Sequence, residues 1–431
     1  MKYPFLLIIA TVFVSFHLET PARADEGDNQ VSVAPTDWAW WRGPNRNGIA
    51  TADQTPPLQW SEEKNVLWKS LVPGRGHGSP TVVGDRIFLA TADEEREIQS
   101  VLCYDRKSGQ QRWKTDIHQG GFASSSGREG NIRSSKASGT VACDGERVFI
   151  NFINDNAVYL TALSLEGKQL WQKKVTDYAT HQGYGSSPAI YGPLVILAAD
   201  NKGGGALSAY DRVTGELVWT QKRPELPNYT SPIILKVDGR DQVLLVGCNL
   251  ISSYAPLTGK INWEVEGATT ECVTSTVTDG KSLVTSGGYP SKHISVVRGD
   301  GSGDVLWRND TMVYVPSMLV HGDHLYVVTD SGEVLCYEFE TGNVVWEHRI
   351  RGKFAASPVL VGEDIFATSN KGVTYIFKAT PKGFELLHEN ELMADEVQAT
   401  PAICDSKIYL RIVRGKKDQR QEMLYCLGQG T

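Results

Sequence analysis

Eight side chains with binding or acid–base chemistry stand at two fixed distances before a small hydroxyl residue that recurs along the chain. The hydroxyl residues are Ser79, Thr140, Ser187, Ser231, Ser275, Ser317, Ser357 and Thr400. Five of the eight side chains each precede their own hydroxyl residue by four positions: Arg75, Lys136, Glu271, Lys353 and Glu396. The other three precede theirs by two positions: His77, Tyr229 and Gln398. Alternate residues of an extended strand face the same side, so these side chains are predicted to share one space if the repeats form a ring. There they would bind a polar or anionic ligand or partner, or form a solvated rim whose charges pair with one another.

A Gly- and Ser-rich insert lies between the first two hydroxyl residues. These two are 61 residues apart, whereas the other neighbours are separated by 40 to 47 residues. The excess falls in residues 119–138, which carry Arg128 and Arg133. Long loops without regular structure are often mobile and functional. The insert is therefore predicted to be a mobile loop beside the shared space, either a lid or docking loop or a tolerated insertion.

Other motifs carry no assignable chemistry. The glycines of residues 74–78 precede a strand and do not open a helix, which removes a phosphate-loop interpretation. His321 and His324 fall in one tight turn and are predicted to be a surface pair. The seven cysteines include no CxxC pair. Cys248 and Cys272 lie in neighbouring repeats, so one disulfide between them is compatible with the sequence. No catalytic residue and no metal ligand set is predicted.

The elements that position the candidate side chains are defined by a second repeat. Residues 209–219, with the pattern Ala-x-Asp-x-x-Thr-Gly-x-x-x-Trp, have close copies at 103–113, 253–263 and 336–346 and weaker ones at 163–171, 297–307 and 377–387. Apolar runs separated by Gly and Asp turns predict four strands per repeat, and an all-β repeat of this length is typical of a propeller blade. The predicted docking tryptophans, which would cover the gap to the next blade, are Trp68, Trp113, Trp171, Trp219, Trp263, Trp307 and Trp346.

The eighth repeat lacks its outer strand, and residues 65–70 supply a strand with no blade of its own. Because an open ring would expose two sheet edges, the N-terminal strand is predicted to close the ring beside the C-terminal one. The fold class is therefore an all-β, eight-bladed propeller of four-stranded antiparallel blades. Residues 58–431 are predicted to form it, after a Trp-rich extension over residues 25–57.

Residues 1–24 have the features of a signal peptide. Lys2 precedes an apolar run, and Ala22-Arg23-Ala24 provides a small-x-small cleavage site. The protein is thus predicted to be exported, to the periplasm or beyond, as a monomer without a transmembrane segment. The formal net charge of −7 argues against nucleic-acid binding.

The repeated Trp phrase resembles the tryptophan-docking motif of pyrroloquinoline-quinone-type propellers, over roughly residues 58–428. That group includes quinoprotein alcohol dehydrogenases and the non-enzymatic outer-membrane-protein assembly factor. Residues 38–48, Trp-Ala-Trp-Trp-Arg-Gly-Pro-Asn-Arg-Asn-Gly, resemble the N-terminal signature of secreted bacterial quinoprotein-like propellers. The dehydrogenases, as a family, pair the quinone with calcium and a catalytic Asp, and many carry a vicinal Cys pair. This chain has no vicinal Cys pair, and it is shorter than the dehydrogenases because it lacks the long inter-blade insertions that build their pocket.

The preferred hypothesis is an exported, non-catalytic propeller that acts as a binding platform for a protein or for an envelope or extracellular ligand, without a cofactor. The first alternative is a quinone-dependent alcohol or sugar dehydrogenase, which would require pyrroloquinoline quinone with calcium. The second alternative is a polysaccharide-recognising propeller that uses Trp38, Trp40 and Trp41 as a stacking surface.

Overall fold

The computed structural model describes residues 31–122, 134–416 and 419–430, and it forms a ring of eight four-stranded antiparallel sheets. Blade 1 contains β2 (Thr81–Val83), β3 (Arg86–Asp93), β4 (Ile98–Asp105) and β5 (Gln111–Gln119). Blade 2 contains β6 (Ala142–Cys143), β7 (Arg147–Asn154), β8 (Ala157–Ser164) and β9 (Gln169–Asp177). Blade 3 contains β10 (Ala189–Tyr191), β11 (Leu194–Ala198), β12 (Gly205–Asp211) and β13 (Leu217–Arg223). Blade 4 contains β14 (Ile233–Val237), β15 (Arg240–Gly247), β16 (Leu250–Tyr254) and β17 (Ile261–Glu266).

The second half of the ring has the same order of strands. Blade 5 contains β18 (Val277–Thr278), β19 (Ser282–Gly287), β20 (His293–Arg298) and β21 (Val305–Asn309). Blade 6 contains β22 (Leu319–His321), β23 (His324–Val328), β24 (Glu333–Glu338) and β25 (Val344–Arg349). Blade 7 contains β26 (Val359–Val361), β27 (Asp364–Thr368), β28 (Val373–Lys378) and β29 (Leu386–Glu391). Blade 8 contains β30 (Ala402–Cys404), β31 (Lys407–Arg414), β32 (Gln421–Leu427) and, as its outer strand, β1 (Val66–Val72).

The closure of the ring is confirmed. Strand β1 pairs antiparallel with β32, and Trp68 stands opposite Cys426, just as Trp219 stands opposite Ala209 and Trp346 opposite Cys336. The two ends of the chain are thus hydrogen-bonded in one sheet, which removes the exposed edge that β32 would otherwise present. Within the described residues, no helix is long and apolar enough to cross a bilayer.

The recurrent hydroxyl residues form a hydrogen-bonded ring around the axis of the propeller. Seven of the eight backbone N–H groups donate to the hydroxyl of the next blade, at 2.9 to 3.1 Å. The last of these links joins Thr400 N to Ser79 Oγ and so spans the closure between blades 8 and 1. A hydroxyl is required at each place because it satisfies a buried N–H that no strand can pair. This explains why the residue type recurs while its neighbours vary.

The tryptophans connect each blade to the next along the outer rim. Six indole Nε1 atoms donate to a main-chain carbonyl of the following blade, at 2.7 to 3.3 Å; the donors are Trp68, Trp113, Trp171, Trp219, Trp307 and Trp346. Trp263 Nε1 is buried without a partner. The acidic residue of the turn also has a role, since Asp211 Oδ1 accepts from the backbone N–H groups of Val213 and Thr214. These contacts lie on the outer rim, remote from the axis.

Gly215, the Gly of the turn in blade 3, is required for two reasons. Its φ is +71°, and a Cβ at this position would lie 2.6 Å from the indole of Trp171. We expect Gly215→Ala to destabilise the protein by about 2–4 kcal/mol, from left-handed backbone strain and overpacking together. The measurement is the urea concentration at half-unfolding. Gly192→Ala is the matched control, because its φ is +51° with no atom within 4 Å; it should cost only about 1 kcal/mol. Equal losses in the two variants would contradict the role of the indole contact.

The segment before β1 lies across one end of the propeller. Trp38 forms a bridge with Val82, Ile49 forms one with Leu360, and Ser32 N donates to Asp144 O. All these partners follow a hydroxyl residue in their blade, so we call this end the covered face. The opposite end, where the chain enters each innermost strand, is the entry face. Within the described residues, the N-terminal segment therefore covers one end of the channel and leaves the entry face open.

The core consists of apolar side chains packed between adjacent blades. The largest cluster lies mainly between blades 1, 2 and 3, and a second one surrounds the closure at blade 8. All seven cysteines are buried free thiols, so the disulfide left open between Cys248 and Cys272 is not formed. Burial raises the pKa of the Cys272 thiol to about 12. These cysteines act as small core residues.

Candidate functional site

A cavity of about 160 Å³ lies on the axis at the entry face. The eight residues that precede the hydroxyl residues by two positions all line it: His77, Ser138, Gly185, Tyr229, Val273, Val315, Ala355 and Gln398. The inner strands thus bring together residues as far apart in sequence as His77 and Gln398. Below them, six of the hydroxyl residues line the same cavity, among them Ser79 and Thr400.

Trp41 lines the end of the cavity nearest the covered face. Its Nε1 donates to Ser275 Oγ at 2.7 Å. Among the described residues, Ser275 is the one hydroxyl residue of the ring whose oxygen does not accept from the backbone N–H of the preceding blade. The two neighbouring tryptophans have other surroundings. Trp38 is 1% exposed, and Trp40, which is 8% exposed, lies under the guanidinium of Arg46 at 4.3 Å. The three tryptophans therefore do not form a common exposed stacking surface, and only Trp41 faces the cavity.

One side of the cavity mouth, between blades 8 and 1, is an ion-paired cluster. His77 Nε2 lies 3.5 Å from Glu396 Oε1, and Arg420 Nη1 lies 2.7 Å from Glu396 Oε2. Gln398 Nε2 also donates to Glu396 Oε1, at 3.4 Å. Burial raises the pKa of the Glu396 carboxyl, but the bonds from His77 and Arg420 outweigh this effect and lower the pKa to about 2. Glu396 is therefore a fixed anion at neutral pH and orients both His77 and Gln398.

The pKa of Glu396 predicts an acid-dependent loss of stability. Because the folded value is about 2 and the ordinary value is 4.5, the stabilisation is fully present above pH 4.5 and is lost as the pH falls toward 2. We expect Glu396→Gln to be less stable than the wild type at pH 7 and to approach it near pH 2. Thermal unfolding between pH 7 and pH 2 measures this. Glu340→Gln, at an exposed outer turn, is the control. Parallel pH profiles of the wild type and Glu396→Gln would refute the assignment.

The other side of the mouth is built by the loop between blades 2 and 3. His181 Nε2 lies 3.3 Å from Glu271 Oε1, and Gln182 Nε2 donates to Glu271 Oε2 at 3.3 Å. The loop thereby reaches over blade 4, where Tyr229 lines the cavity. Burial, together with the adjacent Glu271 carboxylate, raises the pKa of Tyr229 well above its usual range. Tyr229 is therefore a neutral phenol at physiological pH.

Three of the predicted residues lie away from the cavity on the axis. Arg75 pairs with Glu94 at 3.3 Å, and Lys136 lies 5.6 Å over the ring of Phe122; both line a second cavity between blades 1 and 2. Lys353 is exposed beside blade 7, where its carbonyl accepts from Asn370 N. Arg128 and Arg133 of the predicted mobile loop lie outside the described residues. The carboxylates Glu271 and Glu396 support the mouth and are not part of the cavity lining.

Sequence reasoning missed several residues of the mouth. Gln182, Tyr184 and Tyr314 line the cavity, and His181 holds Glu271. Tyr184 and Tyr314 each stand three residues before a hydroxyl residue, which is the opposite phase to the one predicted to face inward. A search for aromatic residues at this third position could have found both. No local signal identifies His181 or Gln182, because the long blade 2–3 loop alone carries them there.

The lining is chemically neutral. Among the described residues that line the cavity on the axis there is no Asp, Glu, Lys or Arg, and His77 is the one conventional cationic candidate. Within the same part of the chain, no group of three or more His, Cys, Asp or Glu residues has the arrangement of a metal site. Calcium takes carboxylate and carbonyl oxygens, and an anionic quinone would need cationic partners. The described lining therefore does not fit the quinone and calcium pair.

A closed ring of eight four-stranded blades, joined by docked tryptophans and carrying a cavity on its axis, defines the class of pyrroloquinoline-quinone-like repeat propellers. The chain belongs to the PQQ_2 family, described as outer membrane protein assembly factor BamB, whose model matches residues 97–289 and 291–382. The match includes most of blades 1 to 7 and thus most of the ring.

Solved structures similar to this fold include both enzymes and an assembly factor. The europium-containing methanol dehydrogenase has a TM-score of 0.63 at 13% identity, over 92% of this chain and 98% of that one. BamB from Moraxella catarrhalis has a TM-score of 0.57 at 14% identity, over 85% and 97%. Quinohemoprotein alcohol dehydrogenase from Comamonas testosteroni has a TM-score of 0.63 at 12% identity, over 95% and 83%. At these identities the similarity establishes the fold alone.

Two curated relatives match part of the chain. A polyvinylalcohol dehydrogenase of Pseudomonas sp. is 27% identical over 215 residues, which cover 44% of this chain and 30% of the relative. That of Sphingopyxis sp. (strain 113P3) is 26% identical over 235 residues, which cover 49% and 33%. The matches thus span about a third of the length of these relatives.

Proposed function

We propose that the protein is an exported, non-catalytic binding platform that receives a protein or envelope component at the entry face. The observation that carries the proposal is the asymmetry of the channel. Trp41 and the N-terminal segment occupy one end, while the other end opens into a cavity lined by neutral side chains. Within the described part of the chain, a ligand therefore has access from the entry face. The signal-peptide features of residues 1–24 and the family's description as an assembly factor support export and a binding role.

The chemistry of the mouth supports binding without catalysis. Of the carboxylates beside the cavity, Glu271 is held by two side chains and Glu396 by three, and Glu396 has a pKa of about 2. A general base functions best with a pKa near the operating pH, so Glu396 is poorly suited to accept a proton. Glu396 is better placed to orient His77 and Gln398 than to react.

A quinone-dependent dehydrogenase is the competing function, because the curated relatives and two of the similar structures carry dehydrogenase names. The experiment titrates the purified protein with pyrroloquinoline quinone and Ca²⁺ while absorbance and thermal stability are followed, and then assays dye-linked alcohol oxidation. We expect no saturable stabilisation and no dye reduction. Saturable stabilisation accompanied by alcohol-dependent dye reduction would replace the platform with the enzyme.

A second arm tests the entry face directly. A photo-reactive amino acid at Gln398 should cross-link a component of the cell envelope, whereas the same group at Lys168 should not. Gln398 lines the cavity, while Lys168 is exposed on an outer turn of blade 2. Cross-linking of the same component from both positions would indicate that the open cavity is not the binding site. The absence of any cross-link from Gln398 would also count against the proposal.

A further inference from the structure

We infer that the ligand of the entry face is a neutral carbohydrate chain, with one sugar ring in the cavity on the axis and the following rings in the adjoining cavity. This inference rests on the proposed function and specifies the ligand of the same site. It is carried by three features of the described residues: an aromatic ring fixed in the cavity, a neutral set of hydroxyl and amide groups around it, and a second cavity that continues the first.

The fixed aromatic ring is Trp41. Its Nε1 bond to Ser275 holds the indole on the axis, and the buried residues Trp38 and Arg42 anchor the same segment against the blades. The orientation of the indole is therefore set before any ligand arrives. A sugar ring has an apolar C–H face that packs on an aromatic ring, and its burial on a preorganised ring loses little conformational entropy.

The polar groups around Trp41 match hydroxyl groups better than charged ones. Gln182 and Gln398 are neutral amides, each of which donates from Nε2 to a carboxylate of the mouth and carries a second N–H and an acceptor oxygen. The phenols of Tyr229 and Tyr314 and the hydroxyl ring are groups that can donate or accept. A sugar hydroxyl likewise donates and accepts, so it can pair with each of these types. The carboxylate of a peptide terminus would meet only His77, which lies 3.5 Å from Glu396. A terminal amine would meet no carboxylate in the described lining.

The second cavity indicates a chain in place of a single sugar. It measures about 510 Å³ and shares Ser134, Ser138, Gln182, Gly183 and Tyr184 with the cavity on the axis. Phe122 and Phe152 continue the aromatic lining, and Gln99 and Asn151 continue the amide lining. Four charged side chains also line this cavity, and each has a contact within the protein: Arg75 pairs with Glu94 at 3.3 Å, Glu97 accepts from Phe122 N, and Lys136 lies over the ring of Phe122. A ligand of several rings can therefore extend from Trp41 toward blades 1 and 2 and remain in contact with polar or aromatic side chains along its length.

The test measures binding of a defined panel of hexasaccharides by isothermal titration calorimetry: maltohexaose, cellohexaose, xylohexaose and chitohexaose. We expect at least one to bind, and Trp41→Ala to weaken that binding at least tenfold. Trp41→Phe, which keeps a ring but loses the Nε1 bond, should lose less. Tyr289→Ala is the matched control, because Tyr289 is an exposed aromatic residue of the entry face that lines neither cavity; its affinity should equal that of the wild type.

Binding of none of the four sugars would overturn the inference, and so would binding that Trp41→Ala leaves unchanged. If Trp41→Ala does not fold, Gln182→Ala and Gln398→Ala replace it, each with an expected severalfold loss of affinity. The proposed function fails separately. A protein component cross-linked from Gln398, without sugar binding, would retain the platform and remove only the carbohydrate.

Discussion

Glu422→Gln is expected to destabilise the protein by about 3–5 kcal/mol, because it leaves the buried Arg411 guanidinium without its carboxylate. Glu422 is wholly buried at its side chain, and its Oε2 accepts from Arg411 Nε at 2.6 Å. Its Oε1 accepts from Arg420 Nη2 at 2.9 Å and from Gly76 N at 3.2 Å. The carboxylate therefore links β31 and β32 of the closing blade to the loop that carries His77.

The matched comparisons separate charge from packing. The double variant Arg411→Met/Glu422→Leu should recover much of the loss, since apolar residues of similar volume often replace a buried ion pair without net cost. Glu333→Gln should change stability by less than about 1 kcal/mol, because its pair with Arg349 is exposed. Urea unfolding at pH 7 measures all three. A loss for Glu422→Gln no larger than that for Glu333→Gln would show that the buried pair does not support the ring closure.

Arg42→Met is expected to cost about 3–5 kcal/mol, because it removes a buried cation and leaves backbone carbonyls without donors. Arg42 is fully buried on the covered face. Its Nη2 donates to Met318 O at 2.7 Å and to Asn47 O at 2.9 Å, and its Nη1 lies 3.3 Å from Pro358 O. One planar guanidinium thus connects the N-terminal segment to blades 6 and 7, immediately beside Trp41.

The measurement combines urea unfolding with limited proteolysis of residues 31–60 at pH 7. Arg42→Lys is the matched variant: it retains the charge, but its ammonium cannot reach three carbonyls in one plane, so an intermediate loss is expected. Trp41 should also become more exposed in Arg42→Met, with a red-shifted fluorescence component. Unchanged stability and unchanged proteolysis in Arg42→Met would mean that the segment is held by other contacts, such as the bridges of Trp38 and Ile49.

Much of the ring could be predicted from the sequence, because each blade is a local unit. The turn at Gly215 and the Trp that follows it lie within a few residues of each other, and the strands pair with their neighbours in sequence. The hydroxyl residues marked the start of each blade, because the same hydrogen bond to the next blade recurs around the ring. Even the closure by β1 was predictable, since one blade lacked a strand and one strand lacked a blade.

The candidate site was predictable only in part. The phase of His77, Tyr229 and Gln398 followed from strand periodicity, and all three line the cavity. The same argument placed Glu271 and Glu396 in the same space, but their side chains turn to His181, Arg420 and other partners at the mouth. Such ion pairs depend on loops that differ from blade to blade, so the repeat pattern of the sequence does not predict them.

By itself, the sequence determined the blade, its copy number and the positions, two before each hydroxyl residue, that face the axis, because these follow from local periodicity and from steric needs such as a Gly beneath an indole. Only the tertiary structure decided which end of the channel is open. The bond from Trp41 to Ser275 joins residues 234 positions apart, and neither the N-terminal segment nor its partners on the covered face belong to the repeat. Long-range contacts of a unique segment leave no periodic trace in the chain, and here they turn a symmetric ring into a one-ended cavity.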